Sequence, residues 1–98
     1  MNGPYKVVGT NTGKVSDFNS ARDLVENIAF TAIGLGLPDG VLKISTKLAP
    51  KILNDHIDGI VYKTTTYVSG RRAKLAIQTY SDYEMTHPYK YYEEIKKW

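Results

Sequence analysis

The side chains that could exchange protons near neutral pH are few. The chain has two histidines, His56 and His87, and Glu84 lies close to the second. Metal-free cleavage of RNA needs a base for the 2′-hydroxyl, an acid for the leaving oxygen and cations for the phosphate. Arg71 and Arg72 could supply the cations, because the guanidinium fork matches phosphate geometry. These five residues make a small metal-independent RNase one interpretation of the sequence.

The same residues also have a simpler interpretation. Arg71 and Arg72 follow Ser69-Gly70, a predicted hairpin tip, where solvated charges are ordinary. Neither histidine has a spacing that is diagnostic of zinc, which needs three or four ligands in fixed geometry. We therefore expect a protein that is not an enzyme and that holds no metal or cofactor, with the RNase as the alternative.

Aromatic and cationic side chains interleave along the predicted hairpin. Stacking rings combined with cations hold single-stranded nucleic acids without sequence preference. Tyrosine and arginine are also favoured anchors of protein interfaces. The predicted binding residues are Tyr62, Lys63, Tyr67, Arg71, Arg72, Lys74 and Tyr80.

Residues 27–42 form a glycine-rich apolar segment in which Asp39 is the one charged residue. A basic stripe with a spacing of four follows it, and a cationic helix beside an apolar segment can lie in an anionic interface. The alternative is that the segment is core, because a helix that is apolar nearly all round is usually buried. The candidates for membrane contact are Phe30, Ile33, Leu35, Leu37, Lys43, Lys47 and Lys51.

The first half of the chain predicts a strand, a turn and a helix. Residues 5–8 are β-prone, and residues 9–13 have the glycines and asparagine of a turn. Ser16 or Ser20 can cap a helix whose apolar stripe repeats at helical spacing from Ala21 to Leu35. Gly34 and Gly36 weaken the end of that helix.

The next segment, residues 41–53, fits a helix that breaks at Pro50, with the proline opening a last turn. A strand over residues 41–45 is the alternative, so residues 41–48 stay open between the two. Residues 60–68 and 73–80 then alternate as two strands around the Ser69-Gly70 turn and predict an antiparallel hairpin.

The tail, residues 89–98, fits a helix better than a strand. Tyr91, Ile95 and Trp98 would share one helical face. Glu93 and Glu94 precede Lys96 and Lys97, an order that complements the helix dipole. The predicted fold class is therefore α+β, with two helices packed on a small antiparallel sheet in the order β-α-α-β-β, followed by a C-terminal helix or strand.

Length and composition predict one small domain, residues 1–98, with no transmembrane span. The absence of cysteine excludes disulfides, thiolate zinc sites and thiol nucleophiles. No signal peptide is recognised at the N-terminus, and both a cytoplasmic protein and a mature secreted chain fit the sequence. Residues 60–98 hold the whole net charge of +3 and seven of the eight tyrosines.

The cysteine-free, tyrosine-rich, basic composition is typical of small bacterial or phage effectors, and it resembles that of small secreted antagonistic peptides. We therefore expect a non-enzymatic binding protein, bacteriocin-like or inhibitor-like, that acts by protein contact or at an anionic envelope surface. The alternative is the small RNase or a nucleic-acid-binding toxin. The tyrosine-rich basic half is the part that suits an anionic partner.

Overall fold

A four-stranded antiparallel sheet with strands in chain order β1-β2-β3-β4 is the centre of the fold. The computed structural model describes residues 4–32, 34, 36–37, 40–44, 48–55 and 59–98. The strands are β1 (Lys6–Lys14), β2 (Val61–Ser69), β3 (Arg72–Tyr80) and β4 (Pro88–Lys97). A 3-10 turn at Val15–Asp17 and two helices, α1 (Ala21–Asn27) and α2 (Ala49–Asp55), lie between β1 and β2. The class is α+β, as predicted.

The hairpin of β2 and β3 forms where the sequence alternates most regularly. Its register is unbroken from Val61 opposite Tyr80 to Ser69 opposite Arg72. Gly70 has φ of +59° at the first central position of the turn, where glycine avoids the steric penalty of a positive φ. The predicted hairpin is confirmed.

The C-terminal tail is a strand, so the preference for a helix over residues 89–98 was wrong. Even-numbered residues of β4 face the core: Tyr92 is 2% exposed and Glu94 is 5% exposed. They lie opposite Ile77 and Leu75 of β3, both fully buried. Pairing with β4 covers the edge of β3 that faces away from β2. This long-range gain outweighs the order of charges in the tail that favoured a helix.

Residues 9–13 lie inside β1, so the predicted turn there was wrong. A Cβ on Gly9 would lie 1.9 Å from the carbonyl oxygen of Thr31, and one on Gly13 would lie 2.4 Å from the hydroxyl of Tyr62. Glycine is present because another chain segment and a tyrosine ring approach the strand closely. A bulge between Val7 and Gly9 marks the same region.

Helix α1 starts as predicted and ends earlier. The Ser20 hydroxyl accepts a hydrogen bond from the Asp23 N–H at 3.1 Å, which identifies Ser20 rather than Ser16 as the cap. Ile28 is already extended, with ψ of 133°. Ile28 and Phe30 are buried while Ala29 between them is exposed, and the Thr64 hydroxyl donates to the Ala29 carbonyl. The chain after Asn27 therefore crosses the sheet in extended form.

Pro50 opens a helical turn as predicted, because α2 begins at Ala49 and the proline lies in its first turn. The helix predicted to precede that break is not observed in the described residues 40–44. Residues 40–43 form turns and a bend, which is neither of the alternatives for residues 41–48, and residues 45–47 lie outside the described part. The helices cover one face of the sheet, where Leu24, Leu48 and Ile52 join sheet side chains in one core cluster.

The outer face of the sheet as a candidate binding surface

Alternation along the strands gives the sheet two chemically different faces. The inner face, under the helices, carries Tyr62, Thr64, Leu75, Ile77 and Tyr92, all buried. The opposite side, here called the outer face, carries the intervening residues, and the cross-strand register places them in rows. The row Val7–Tyr67–Lys74–Ile95 crosses all four strands, and the row Thr12–Lys63–Gln78–Tyr91 also does so.

Lys74 lies between two tyrosine rings at the centre of this surface. Its Nζ is 4.7 Å from the ring centroid of Tyr67 and 5.1 Å from that of Tyr5. Both distances are within the range at which an ammonium is attracted to an aromatic face. All three residues are half-buried, and the cation bridges the two rings.

Tyr91 extends the aromatic patch onto the edge strand. Its hydroxyl donates a hydrogen bond to Glu93 Oε2 at 2.8 Å. Desolvation, the hydrogen bond to Glu93 and the negative charge of Glu93, in that order, raise the pKa of Tyr91 to about 12, with a smaller contribution from Tyr67. The phenol therefore stays neutral at physiological pH and acts as a fixed donor.

The outer face is basic and is flanked by exposed apolar side chains. Val7 is 58% exposed and Ile95 is 46% exposed, at the two ends of one row. At the end of β1, the Nζ of Lys14 is 5.8 Å from the ring centroid of Tyr83. Within the four strands the outer face carries five cations and one carboxylate: Lys14, Lys63, Arg72, Lys74, Lys97 and Glu93.

Five of the seven residues predicted to bind lie on this face: Lys63, Tyr67, Arg72, Lys74 and Tyr80. Arg71 lies in the turn beside them, and its carbonyl accepts from the Trp98 N–H at 3.1 Å. Tyr62 faces the other way: it is 9% exposed and its ring is 5.9 Å from that of Phe18. Burial, and then the charge of Asp17, raise the pKa of Tyr62. Tyr62 is therefore a core residue.

Sequence reasoning missed the parts of the surface that β1 and β4 supply. Tyr5 and Val7 precede the bulge of an edge strand, and Tyr91 and Ile95 were assigned to a helical face. One signal could have found Tyr91 and Ile95, because strands have a period of two. It is the alternation of the odd-numbered residues of the tail with buried positions, at Tyr89, Tyr91, Glu93 and Ile95.

The residues of the RNase interpretation are not brought together. Arg71 and Arg72 lie at the start of β3, whereas Glu84 and His87 lie in the loop after its end. Eight steps of about 3.3 Å along a strand separate the two groups by about 26 Å, too far for one scissile phosphate. His56 lies outside the described residues.

The loop between β3 and β4 is organised by one carboxylate. Asp82 accepts hydrogen bonds from the backbone N–H groups of Thr86 and His87 at 3.0 Å, and from the Thr86 hydroxyl. The Thr86 hydroxyl and these N–H groups lower the pKa of Asp82 well below its usual range, and desolvation opposes them only in part. His87 Nδ1 is 3.4 Å from Asp82 Oδ2, and its side chain is 74% exposed. The contacts of this loop are those of a capped turn.

The candidates for membrane contact fall in different environments. Phe30 is 7% exposed and belongs to the core, whereas Leu37 is half-buried and Lys43 is exposed. These three line one open cavity of about 490 Å³. Lys51 is exposed and holds its Nζ 5.8 Å from the ring centroid of Tyr92. Ile33, Leu35 and Lys47 lie outside the described residues.

Membrane-spanning helices and metal-binding clusters are both absent from the described residues. Over the ranges given above, no helix has the length and apolar character needed to cross a bilayer. In the same part of the chain, histidine, aspartate and glutamate side chains form no cluster of three that could hold a metal ion.

Comparison with known proteins gives no independent indication of function. The chain matches no protein-family model, no curated protein and no solved structure. Any functional inference therefore depends on the residues and their geometry.

Proposed function

We propose that the chain is a non-enzymatic binding protein that contacts an acidic protein surface through the outer face of its sheet. The observation that carries the proposal is the Tyr5–Lys74–Tyr67 stack, which lies in the middle of a surface with five cations and one carboxylate. Rigid tyrosines provide contact area at a low cost in side-chain entropy, and cations steer an acidic partner into place. A bacterial or phage effector of the inhibitor-like kind would act by such contact.

Two features favour a protein over a nucleic acid as the partner. Base stacking needs open ring faces, whereas Lys74 occupies one face of Tyr5 and one face of Tyr67. Exposed apolar side chains, Val7 and Ile95, end the same row, and protein interfaces bury such residues.

The test is a titration of isotope-labelled protein with a poly-glutamate peptide, followed by amide chemical shifts. We expect shifts in the outer-face residues of β2 and β3. Lys74→Glu should abolish them, because it reverses the central charge. The matched control, Lys43→Glu, reverses an exposed charge outside the four strands and should leave binding intact. Equal loss in both variants would show attraction by net charge alone, and binding unaffected by Lys74→Glu would place the surface elsewhere.

Single-stranded nucleic acid is the second candidate, and the excess of cations on the outer face is the observation that favours it. It predicts that poly-uridine RNA displaces the peptide, with an affinity that falls steeply as salt rises. Vesicles of anionic lipid in the same assay would detect an envelope surface as the partner. If either binds more tightly than the peptide at physiological salt, the proposed acidic protein partner is wrong.

A further inference from the structure

β4 is an edge of the sheet, and one row of its backbone groups points away from β3. The Lys90 N–H donates to Thr79 Oγ1 of β3 at 3.0 Å, and the Trp98 N–H donates to the Arg71 carbonyl at 3.1 Å. Even-numbered residues therefore direct their N–H and C=O groups toward β3. Because successive residues of a strand alternate, those of Tyr91, Glu93 and Ile95 point outward. Within the described ranges, no backbone hydrogen bond reaches this outer row.

The other edge of the sheet is less suited to pairing. β1 carries a bulge between Val7 and Gly9, and bulges interrupt the regular ladder that strand addition needs. β4 also has a register shift, between the pairs Gln78–Tyr91 and Tyr80–Pro88 at its N-terminal end, but from Tyr91 to Lys97 its register is unshifted. An extended and regular edge strand is a template for another strand.

We propose that two copies of this chain associate by antiparallel pairing of β4 with β4, centred on Tyr92. The two four-stranded sheets then form one sheet of eight strands around a two-fold axis. The sequence of β4 is self-complementary in this register. Lys90 lies opposite the second copy's Glu94, Tyr89 opposite its Ile95, and Tyr91 opposite its Glu93. The symmetry makes each pair twice.

Each pair is chemically favourable. Opposite charges across neighbouring strands attract, so Lys90 of one copy adds a second cation near Glu94, whose Oε1 is already 3.8 Å from the Nζ of Lys96 in its own chain. Tyr89 is 53% exposed and Ile95 is 46% exposed, so each gains an apolar neighbour across the new ladder. The Tyr91 hydroxyl already donates to Glu93 of its own chain, and in the dimer it also lies opposite the carboxylate of the second copy's Glu93.

Neighbouring registers lack this match. Centring the pair on Glu93 places that carboxylate opposite its own copy and Lys90 opposite Lys96. Centring it on Glu94 places two buried carboxylates opposite each other. Like charges directly opposite destabilise a ladder, so charge disfavours both of these registers. Centring the pair on Tyr91 places Lys90 opposite Tyr92 and Glu94 opposite Pro88, so that register lacks the pair of opposite charges that the register centred on Tyr92 has.

The first test is sedimentation equilibrium of the full chain over a range of concentrations. We expect the wild type to approach twice the 11.0 kDa mass of the chain as concentration rises. Glu93→Pro should stay monomeric, because it removes an outward N–H while the ladder to β3 is kept. Glu93→Ala, which keeps the N–H, should still dimerise. Circular dichroism verifies that both variants are folded.

The second test determines the register by disulfide trapping, since the chain has no cysteine of its own. A mixture of Tyr89→Cys and Ile95→Cys should form a disulfide-linked heterodimer, because opposed residues lie about 5.5 Å apart at Cα. A mixture of Tyr91→Cys and Ile95→Cys should not, because those positions are opposed only in the register centred on Glu93.

Three outcomes would overturn the proposal. These are a wild type that is monomeric at every concentration, a folded Glu93→Pro that still dimerises, and preferential trapping in the second mixture. The two proposals share Tyr91 and Ile95, but Lys74→Glu changes no residue of β4 and Glu93→Pro leaves Lys74 in place. The failure of one proposal is therefore distinguishable from the failure of the other.

Discussion

At the scale of single residues, Asp82 shows how one side chain can determine the shape of a loop. Its carboxylate accepts from two backbone N–H groups and a hydroxyl, and it sits beside an otherwise exposed histidine. The backbone at Met85 has φ of +57°, a left-handed conformation that the surrounding turn maintains. His87, which the sequence offered as a catalytic residue, is therefore part of the turn that connects β3 and β4.

This arrangement predicts an acid-dependent stability. The folded-state pKa of Asp82 is depressed, so its stabilising contribution is fully present above the unfolded pKa of about 4. It is lost as pH falls from there through the folded value. Asp82→Asn should therefore be less stable than wild type at neutral pH, and the difference should shrink below about pH 4. Urea unfolding at several pH values measures it, and a difference that is constant with pH would contradict it.

At the scale of elements, α1 depends on its cap because it has only seven residues. A helix this short is not stable by propensity, so packing of Leu24 and the Ser20 hydroxyl must hold it. We predict that Ser20→Ala lowers the free energy of unfolding by about 1 kcal/mol. Ser16→Ala is the matched control, since Ser16 is exposed in the 3-10 turn, and it should change stability by less than about 0.5 kcal/mol.

Urea unfolding of the two variants decides the assignment of the cap. Equal losses in both serine variants, or a larger loss in Ser16→Ala, would show that the hydrogen bond to Asp23 does not stabilise the helix. Because both changes are from serine to alanine in exposed segments, the denatured states should respond alike.

Sequence patterns correctly predicted those elements that depend on contacts between residues close in the sequence. The β2–β3 hairpin, the Ser20 cap and the position of Pro50 in the first turn of a helix each follow from neighbouring residues in the sequence. The errors arose where distant contacts decide. Gly13 belongs to a strand because β1 pairs with β2, which lies far away in the sequence. Helix α1 ends at Asn27, and the next residues cross the sheet, where the Ala29 carbonyl accepts from Thr64.

The residues of the candidate surface also fall into two groups, those that local sequence patterns could predict and those that only distant strand pairing brings together. Lys63, Tyr67 and Lys74 could be found from alternation within one hairpin. Tyr5 and Ile95 could not, because they become neighbours of that hairpin only through the pairing of β1 with β2 and of β4 with β3. A correct assignment of the tail as a strand would have supplied half of what was missed.

At the scale of the whole molecule, the helices cover one face of the sheet, and the same strands supply both a core and a surface. The core cluster joins helix residues such as Leu24 and Ile52 to the inner face alone. The outer face is free to carry tyrosines and cations without a cost in core packing. Because successive residues alternate between the faces, neighbouring tyrosines in β4 have separate roles.

We predict that truncation of Tyr92 mainly lowers stability, whereas truncation of Tyr91 mainly weakens binding. Tyr92 is 2% exposed within the core cluster, so Tyr92→Ala should lower the free energy of unfolding by about 3–5 kcal/mol, as for other buried aromatic residues. Tyr91 is 49% exposed, and Tyr91→Ala should lower it by less than about 1 kcal/mol while weakening binding to the poly-glutamate peptide. Urea unfolding and the peptide titration together measure both effects. Similar losses of stability in the two variants would show that the outer face is part of the core and would contradict its assignment as a binding surface.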